Sequence, residues 1–595
     1  MAASAYDLFI NQDSDSDDEF LGFQDEELDD QERQERRDLE ERQRREQVQQ
    51  QLSGEWRQVP ATPERAGPER PGLPVFDSSR CGAQRVWSSK NPYDFFRAFF
   101  SPLVLKNMAL ETNRYAQQLL ASRQLPPQSR LHEWKPTTEE EMERFVGIQV
   151  GMGMCAKPNI ANYWSRDSTQ LNWTPNYGRV MSRNRYQLIN SFLHFNNNEM
   201  RRERGDDAYD ALFKIRPLTE AVLHSFMEEY YPHRELAIDE SMISFRGRVF
   251  FRQYIPSKRV RFGMKSFVLT DARTNYTYLW DLYTGGAYSY DRDKGIGYSS
   301  VTQLMEKAGL LGKGHVLYTD NYYTSPALYL TLHDGGTGAC GTVRKNRQGM
   351  PPQLRDMNLV AGEAPVFYEK KPLLSASFRD AGTVTVLSTG RLLDSYIRWP
   401  RTSIVANNNN NKKKKNVVKP RCVEDYNRYM GGVDRADQLC SYYSFSHRSM
   451  KWYIRLYHHV REVALVNAHI LFREATGISM ATPDFRSQVV AGLLGRPLED
   501  APPLPPREMP GVPARLSAVG QHFLGLREGG SKPDCKVCSS RKRGPAEGSS
   551  KKSGRKQTAF FCKTCPEQPA LCPVPCFETY HTKMVYKPKY LPPEN

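Results

Sequence analysis

The chain has 595 residues, several times the roughly 100–200 residues of one domain, so several packed units are expected. With 39% hydrophobic and 11% aromatic residues it can build cores, and no run approaches the roughly 18 apolar residues of a membrane span. Its start, MAASAYDLFINQDSDSDDEF, has neither the basic nor the apolar region of a secretory signal, so a soluble, non-secreted chain with no membrane partner is expected.

The net charge of +15 hides an asymmetry: residues 1–30 hold eleven Asp or Glu and no Lys or Arg, leaving +26 on the remainder. A body so basic points to a polyanion, and nucleic acid is the commonest one. Residues 1–85 read as an unpacked acidic tail: the acidic block, then QERQERRDLEERQRREQVQQ without an apolar face, then the Pro-rich PATPERAGPERPGLP. Ser14 and Ser16 each have an acid three residues on, Asp17 and Glu19, which suits an acid-directed kinase. A solvating tail is the simpler role, and competition with DNA for the basic body is the sharper one.

From NPYDFFRAFFSP the pattern turns helical. TTEEEMERFVGIQVGMGM offers Thr137 or Thr138 as N-cap with acids in the first turn, and MSRNRYQLINSFLHF continues the style. The period then changes: ELAIDESMISF, VFFRQYI, SFVLTD, YTYLWDLYTG and HVLYTD are strand-length β-branched and aromatic runs. Two helices fall among and after them, SSVTQLMEKAGLLGKG and SPALYLTLHDGG, the latter with Ser325 as cap, Pro326 at the first position and Gly335 at the stop. Strand and helix alternation of this kind is an α/β unit. Residues 347–420, containing ANNNNNKKKKN, read as an insertion. EDYNRYMGGVDRADQL and YIRLYHHVREVALVNAHILFREATG return to helix, and the Pro-rich APPLPPREMPGVP links them to a Cys-rich end.

That end carries the strongest local signal. Cys535 and Cys538 form one C-x2-C, Cys562 and Cys565 another, and LCPVPCFETYH adds Cys572, Cys576 and His581. These are seven ligands where two tetrahedral zinc sites need eight, and His522 is the natural eighth. From residue 521 the tail carries 14 Lys or Arg against 6 Asp or Glu, which suits DNA. Arg541, Lys542 and Arg543, with KKSGRK behind, read as a nuclear import signal or a solvated basic loop.

Three Asp stand out by position: Asp239 in the alternating strand, Asp320 just after HVLY, and Asp434 in the helix of GGVDRADQ. Carboxylates at strand ends plus one from a helix can converge to hold two hard cations for in-line phosphoryl displacement, although most Asp at strand ends only cap turns. Asp437, three residues beyond Asp434, shares its helical face. The turn GTVRKNR supplies Arg344, Lys345 and Arg347, a solvated loop or a set of phosphate clamps. Gly336, Gly338 and Gly341 fit G-x-G-x-x-G but follow a helix, the reverse of a dinucleotide fold, and read as a turn; His458 and His459 read as packed or surface residues.

LAIDESMISFRGR, YIPSKRVRFGMK, YTDNYYTSPAL, GTVRKNR and YNRYMGGVDRADQL, in that order, resemble the piggyBac family of DNA transposases, and TNRYAQQ, FVGIQVGMGMCAKPNIANYW and MSRNRYQLINSFLHFNNN resemble its DNA-binding helices. The resemblance covers about residue 86 to the end. It implies an α/β RNase H-like catalytic core with an insertion, flanked by a discontinuous helical DNA-binding domain and a C-terminal cross-brace zinc finger. The domains implied are a tail at 1–85, a helical dimerisation and DNA-binding part at 86–233, core at 234–346, insertion at 347–420, core at 421–443, helical part at 444–500, linker at 501–520 and finger at 521–595. The catalytic positions fall on Asp239, Asp320, Asp434 and Asp437, the first three as ligands of Mg²⁺ or Mn²⁺, with two Zn²⁺ in the finger. Arg344 and Arg347 match positions that contact target DNA, and Trp452 matches a family aromatic for which packing is the simpler role and base stacking the other.

The implied activity is cut-and-paste transposition: the enzyme nicks the transposon end, forms a hairpin, and inserts at TTAA with footprint-free excision. The implied partners are double-stranded DNA, as terminal inverted repeats and TTAA target, and a second copy of the chain in a homodimer; the implied location is nuclear. The alternatives are a domesticated, sequence-specific DNA-binding descendant that no longer transposes, and a ubiquitin ligase or chromatin reader built on the finger, which leaves the ordered Asp motifs without a role.

Overall fold

The computed structural model describes residues 55–495, apart from 61, 64–72, 123, 166–176, 257, 259, 361–362, 381, 390–394, 402–414 and 446–448. It further describes residues 522–586, apart from 528, 530–531, 540–555, 566 and 584–585. The acidic block with Ser14 and Ser16, residues 406–414 of the Asn and Lys run, and Arg541, Lys542 and Arg543 lie outside the described residues. The chain divides into two compact units, residues 1–500 and 501–595.

In the first unit, helices form where caps and apolar faces coincide. Helix α1 (Pro92–Phe99) starts with Asn91 accepting the Tyr93 N–H and Pro92 in the first turn, and it buries Phe95, Phe96 and Phe99 completely. Helix α2 (Pro102–Ser122) follows, and α3 (Glu139–Met154) is capped by Thr138, whose hydroxyl accepts from Glu141 N. Helices α4 (Arg183–Phe192) and α5 (Arg216–Glu229) complete the run before the sheet. Helices α6 (Gly295–Lys307) and α7 (Pro326–Asp334) lie between strands, and α7 has the Ser325 cap, Pro326 start and Gly335 stop that its sequence predicts. Helices α8 (Arg421–Tyr429) and α9 (Gly432–Tyr442) follow the sheet. The 25-residue α10 (Trp452–Thr476) and α11 (Thr482–Leu494) then return to pack on the early helices, α10 against α1 and α11 against α1 and α3. The helical region is thus one packed body made of two stretches of chain.

Among the described residues, ten strands form the main sheet. They are β1 (Arg57–Val59), β2 (Glu235–Ser244), β3 (Arg252–Tyr254), β4 (Phe262–Asp271), β5 (Thr277–Leu282), β6 (Val316–Thr319), β7 (Gly338–Thr342), β8 (Val366–Lys370), β9 (Leu373–Arg379) and β10 (Thr383–Thr389). At its heart β2, β4 and β5 make an antiparallel meander, and β6 and β7 add in parallel on the other side of β2, reached through α6 and α7. The order β5-β4-β2-β6-β7 is the three-two-one-four-five arrangement of an RNase H-like core. Within the stretch expected as an insertion, β8, β9 and β10 continue this sheet: Cys340 of β7 pairs antiparallel with Ser388 of β10.

Of the three glycines that read as a turn, only Gly336 sits in one, at φ +67°, while Gly338 and Gly341 lie in β7 itself. Gly341 is there because of crowding. A Cβ would come within 2.2 Å of the Thr319 carbonyl and 2.5 Å of the Thr324 and Tyr329 hydroxyls. His458 is buried and His459 packs edge-on to Trp280, so neither stands at a ligand site. Among the described residues no helix is long and apolar enough to cross a membrane.

The second unit is small. Strands β11 (Leu524–Leu526) and β12 (Phe560–Cys562) pair antiparallel, helix α12 (Cys576–Thr582) follows, and Cys562, Cys565, Leu571 and Tyr580 form the core. So little apolar surface calls for another source of stability.

Candidate active site and zinc centres

The register of the sheet builds the first site. Ile238 of β2 pairs with Thr319 of β6 in parallel, so the next residues, Asp239 and Asp320, stand side by side at the same level of the two strands. Side chains on such neighbouring positions share a face, about 4.8 Å apart. Because β6 stops at Thr319, β2 has no neighbour on that side beyond Asp239, and the longer Glu240 side chain reaches the same space. Carboxylate oxygens of Asp239, Glu240 and Asp320 all lie within 4.8 Å of one another.

Each carboxylate is held. Asp239 accepts from Glu240 N at 2.8 Å, and Asp320 accepts from Tyr322 N at 2.9 Å. The loop after Asp320 is tied by the Thr324 hydroxyl, which donates to the Asp320 carbonyl at 2.7 Å. Glu240 pairs with Lys258 at 3.1 Å and accepts from the Tyr323 hydroxyl at 3.3 Å. Burial, reinforced by the negative charges of Glu240 and Asp320, pushes Asp239 up to about 8. Burial likewise raises Asp320. Burial also works against the charge on Glu240, but Lys258, the hydrogen bond with Asp239 and Lys265 together outweigh it and hold that carboxyl below its ordinary value.

Helix α9 brings the remaining two carboxylates. It approaches the sheet closely at Gly432, where a Cβ would meet Thr270 Oγ1 at 2.6 Å and Ala237 Cβ at 3.3 Å. One turn on, Asp437 accepts from the Ser241 hydroxyl at 2.8 Å, and burial lifts it to about 6 against that hydrogen bond. Asp434 lies exposed in the first turn, outside the cluster of three. Its charge nevertheless acts on both Asp437 and Lys258. The structure therefore brings Asp239 and Asp320 together, sets Asp437 on the same strand through Ser241, and adds Glu240, to which the sequence reading gave no role. Strand alternation hides Glu240, since it assigns neighbouring residues to opposite faces. Only oxygen ligands gather here, a donor set for hard divalent cations, and a cation would relieve the repulsion among the three.

The predicted DNA contacts divide. Arg344 is exposed. Arg347 instead donates to the carbonyls of Asn321 and Tyr322, the latter at 3.0 Å, and so braces the turn behind Asp320. Lys345 donates to the Met357 carbonyl at 2.7 Å. Trp452 is 7% exposed and packs edge-on against Phe251, the packing role.

In the second unit all eight predicted ligands gather into two clusters, Cys535, Cys538, Cys572 and Cys576 in one and His522, Cys562, Cys565 and His581 in the other. The two sets interleave along the chain, the cross-brace arrangement. Zinc–sulfur bonds of about 2.3 Å in a tetrahedron put ligand atoms about 3.8 Å apart, a little less for nitrogen. Cys538 and Cys572 sulfurs stand 3.7 Å apart, His522 Nδ1 is 3.5 Å from both Cys562 and Cys565 sulfurs, and His581 Nε2 is 3.4 Å from Cys565. His581 Nδ1 donates to the Phe577 carbonyl at 2.7 Å, which leaves Nε2 as the ligand. Burial opposes the Cys535 thiolate, yet backbone N–H groups of Cys538, Cys572 and Val537 bring it down to about 7. These donors fit zinc.

Both units of the chain match known families. Residues 91–469 match the family model described as Transposase IS4, and residues 520–582 match a DDE_Tnp_1-like zinc finger. PiggyBac transposable element-derived protein 3 of Homo sapiens is 26% identical over 455 residues, 75% of this chain and 70% of that one. PiggyBac transposable element-derived protein 2 of Homo sapiens is 27% identical over 430 residues, 69% of this chain and 67% of that one. The fold is similar to that in the cryo-EM structure of the piggyBac transposase synaptic complex with hairpin DNA, with a TM-score of 0.59 at 24% identity over 73% of this chain and 89% of that one. With well over half of its length matched by the transposase family model and a matching zinc finger at its end, the chain belongs to the piggyBac-type transposase family.

Proposed function

We propose that this protein is a metal-dependent cut-and-paste DNA transposase. The observation that carries the reading is the carboxylate cluster of Asp239, Glu240 and Asp320, with Asp437 of α9 hydrogen-bonded to Ser241 of the same strand. Asp239, Asp320 and Asp434 would hold Mg²⁺ or Mn²⁺, and the bound ions would supply charge stabilisation and activation of an oxygen nucleophile. Asp437 positions the helix through Ser241. The same in-line attack on a phosphodiester serves water and a 3′-hydroxyl in turn, so one site can nick a transposon end, form a hairpin and join the freed end to TTAA. Exposed Arg344 would contact target phosphates, and Trp452 would serve the hairpin only after leaving its pocket beside Phe251. The basic, zinc-bound tail would bind the terminal repeats, and two copies of the chain would hold paired ends in the nucleus.

The test is strand cleavage on DNA carrying the cognate ends, comparing the wild type with Asp239→Asn, Asp320→Asn and Asp434→Asn. Mg²⁺-dependent cutting at TTAA that each substitution abolishes, with DNA binding retained, is the expected result. A second reading follows from the relatives, which are named as transposable element-derived proteins: sequence-specific DNA binding without transposition. Tight binding of the ends without any cutting by the wild type would establish it.

A further inference from the structure

The helix that carries Asp434 and Asp437 ends over a buried group of charges that the proposed chemistry does not use. Arg461 and Glu462 of α10 and Arg486 of α11 are each at most 2% exposed. Glu462 bridges the two guanidinium groups, accepting from Arg461 and from Arg486 at 2.9 Å each. Two positive groups against one carboxylate leave one charge in excess, a costly arrangement inside a protein unless other polar atoms answer it. The answering atoms are carbonyls at the end of α9: Arg486 donates to the Tyr443 carbonyl at 3.4 Å and Arg461 to the Phe445 carbonyl at 3.3 Å. Tyr443 is the C-cap of α9, the negative end of the helix dipole, so the excess charge sits where the helix favours it.

The carbonyl is also confined from the other side. A Cβ on Gly153 of α3 would come within 2.0 Å of the Tyr443 oxygen, so α3 leaves that oxygen nowhere to retreat. Arg461 also donates to the Gln149 side chain of α3 at 2.6 Å, and the Tyr457 hydroxyl donates to the same oxygen at 2.8 Å. Helices α3, α10 and α11 thus grip the far end of α9, while Gly432 against Thr270 sets its near end.

We propose that Arg461, Glu462 and Arg486 are positioning residues for the active site: the buried charge holds the end of α9 and thereby sets where Asp434 and Asp437 stand relative to Asp239 and Asp320. The clamp links the helical region to the α/β core, and its role in metal binding rests on the transposase reading. The test compares the wild type with Arg486→Met, Arg486→Lys and Gly153→Ala, the last displacing the Tyr443 carbonyl while keeping every charge. Hydrogen exchange of residues 432–445 in the metal-free full chain reads the clamp directly. Arg486→Met and Gly153→Ala are expected to speed it at least tenfold relative to the β2 amides, and Arg486→Lys, which keeps the charge and one donor, by less.

Mn²⁺ affinity, from the electron paramagnetic resonance signal of the free ion, reads the consequence. It is expected to fall at least tenfold in Arg486→Met and to recover partly in Arg486→Lys. A role confined to stability would lower the melting temperature with uniform exchange and leave Mn²⁺ affinity of the folded protein unchanged, and either unchanged readout in a folded Arg486→Met protein overturns the proposal. A wild type that fails to bind Mn²⁺ sinks the transposase reading, and with it the link to metal; the exchange arm still decides whether the clamp exists.

Discussion

Replacing Asp239 by Asn is expected to make the magnesium-free protein more stable at pH 8 while abolishing cutting. The carboxylate oxygens of Asp239, Glu240 and Asp320 lie within 4.8 Å of one another. Two unit charges at that distance repel by about 3.5 kcal/mol at an effective dielectric constant near 20. Lys258, 3.1 Å from Glu240, returns part of this. The rise of Asp239 from 3.8 to about 8 sets an upper bound of roughly 6 kcal/mol, and the partial exposure of the cluster screens the net effect to about 2 kcal/mol. The sign follows from proton linkage. The folded protein holds the Asp239 proton between about pH 4 and about pH 8, so this contribution to stability is complete below pH 4 and is lost as pH rises through 8. Asn stays neutral and removes the loss. Scanning calorimetry of the full chain, in buffer freed of magnesium but retaining zinc, should show the variant melting about 2–4 °C higher at pH 8 and level with the wild type near pH 4. Millimolar Mg²⁺ should close the gap at pH 8 by stabilising only the wild type. A wild type at least as stable as Asp239→Asn at pH 8 without magnesium would refute the electrostatic reasoning.

Gly432→Ala should push α9 off the sheet, because the new methyl meets Thr270 Oγ1 at 2.6 Å; a loss of about 1–3 kcal/mol in chemical unfolding and a larger Mg²⁺ requirement for cutting are expected. Cys562→Ser and Cys535→Ser each remove a ligand from a different cluster, so each should lower bound zinc from two equivalents toward one by atomic emission and weaken binding of transposon ends. Asp271 is fully buried and accepts from His233 Nδ1 and the Tyr230 hydroxyl, both at 2.7 Å, so Asp271→Asn should cost about 3 kcal/mol at pH 6. Hydrogen bonding to Asp271 raises His233 above its ordinary value, so that share of stability should be full below about pH 6.5 and fade as pH rises through the raised value, a slope the variant should lack.

What the sequence made legible was local or countable. The Thr138 and Ser325 caps follow from side chains within three residues of the N–H groups they accept. His522 follows from ligand arithmetic, since two tetrahedral sites need eight donors and seven were evident. Asp239 and Asp320 stand in and just after strands, and the parallel register sets them side by side at the same level. Glu240 is hidden because alternation assigns it to the face opposite Asp239, whereas its carboxylate lies within 4.8 Å of those of Asp239 and Asp320. Arg347 and Lys345 read as loop cations, yet the carbonyls that hold them belong to Asn321, Tyr322 and Met357, outside the basic turn itself.

Distance along the chain is what separates the two halves of the proposed active site. The Asp239 and Asp320 carboxylates are placed by a ladder whose strands announce themselves by composition, so a reader of sequence can find them. The placement of Asp434 and Asp437 depends on α9, and α9 depends on contacts that no local pattern records: Gly432 against Thr270, Arg486 on the Tyr443 carbonyl, and Arg461 reaching Gln149 across 312 positions. On this proposal a chain can keep all four Asp and still lose a working site by altering a buried arginine far from them in sequence. For members of this family that retain the acidic motif, the charge balance beneath the end of α9 is a second place to look when cutting is absent.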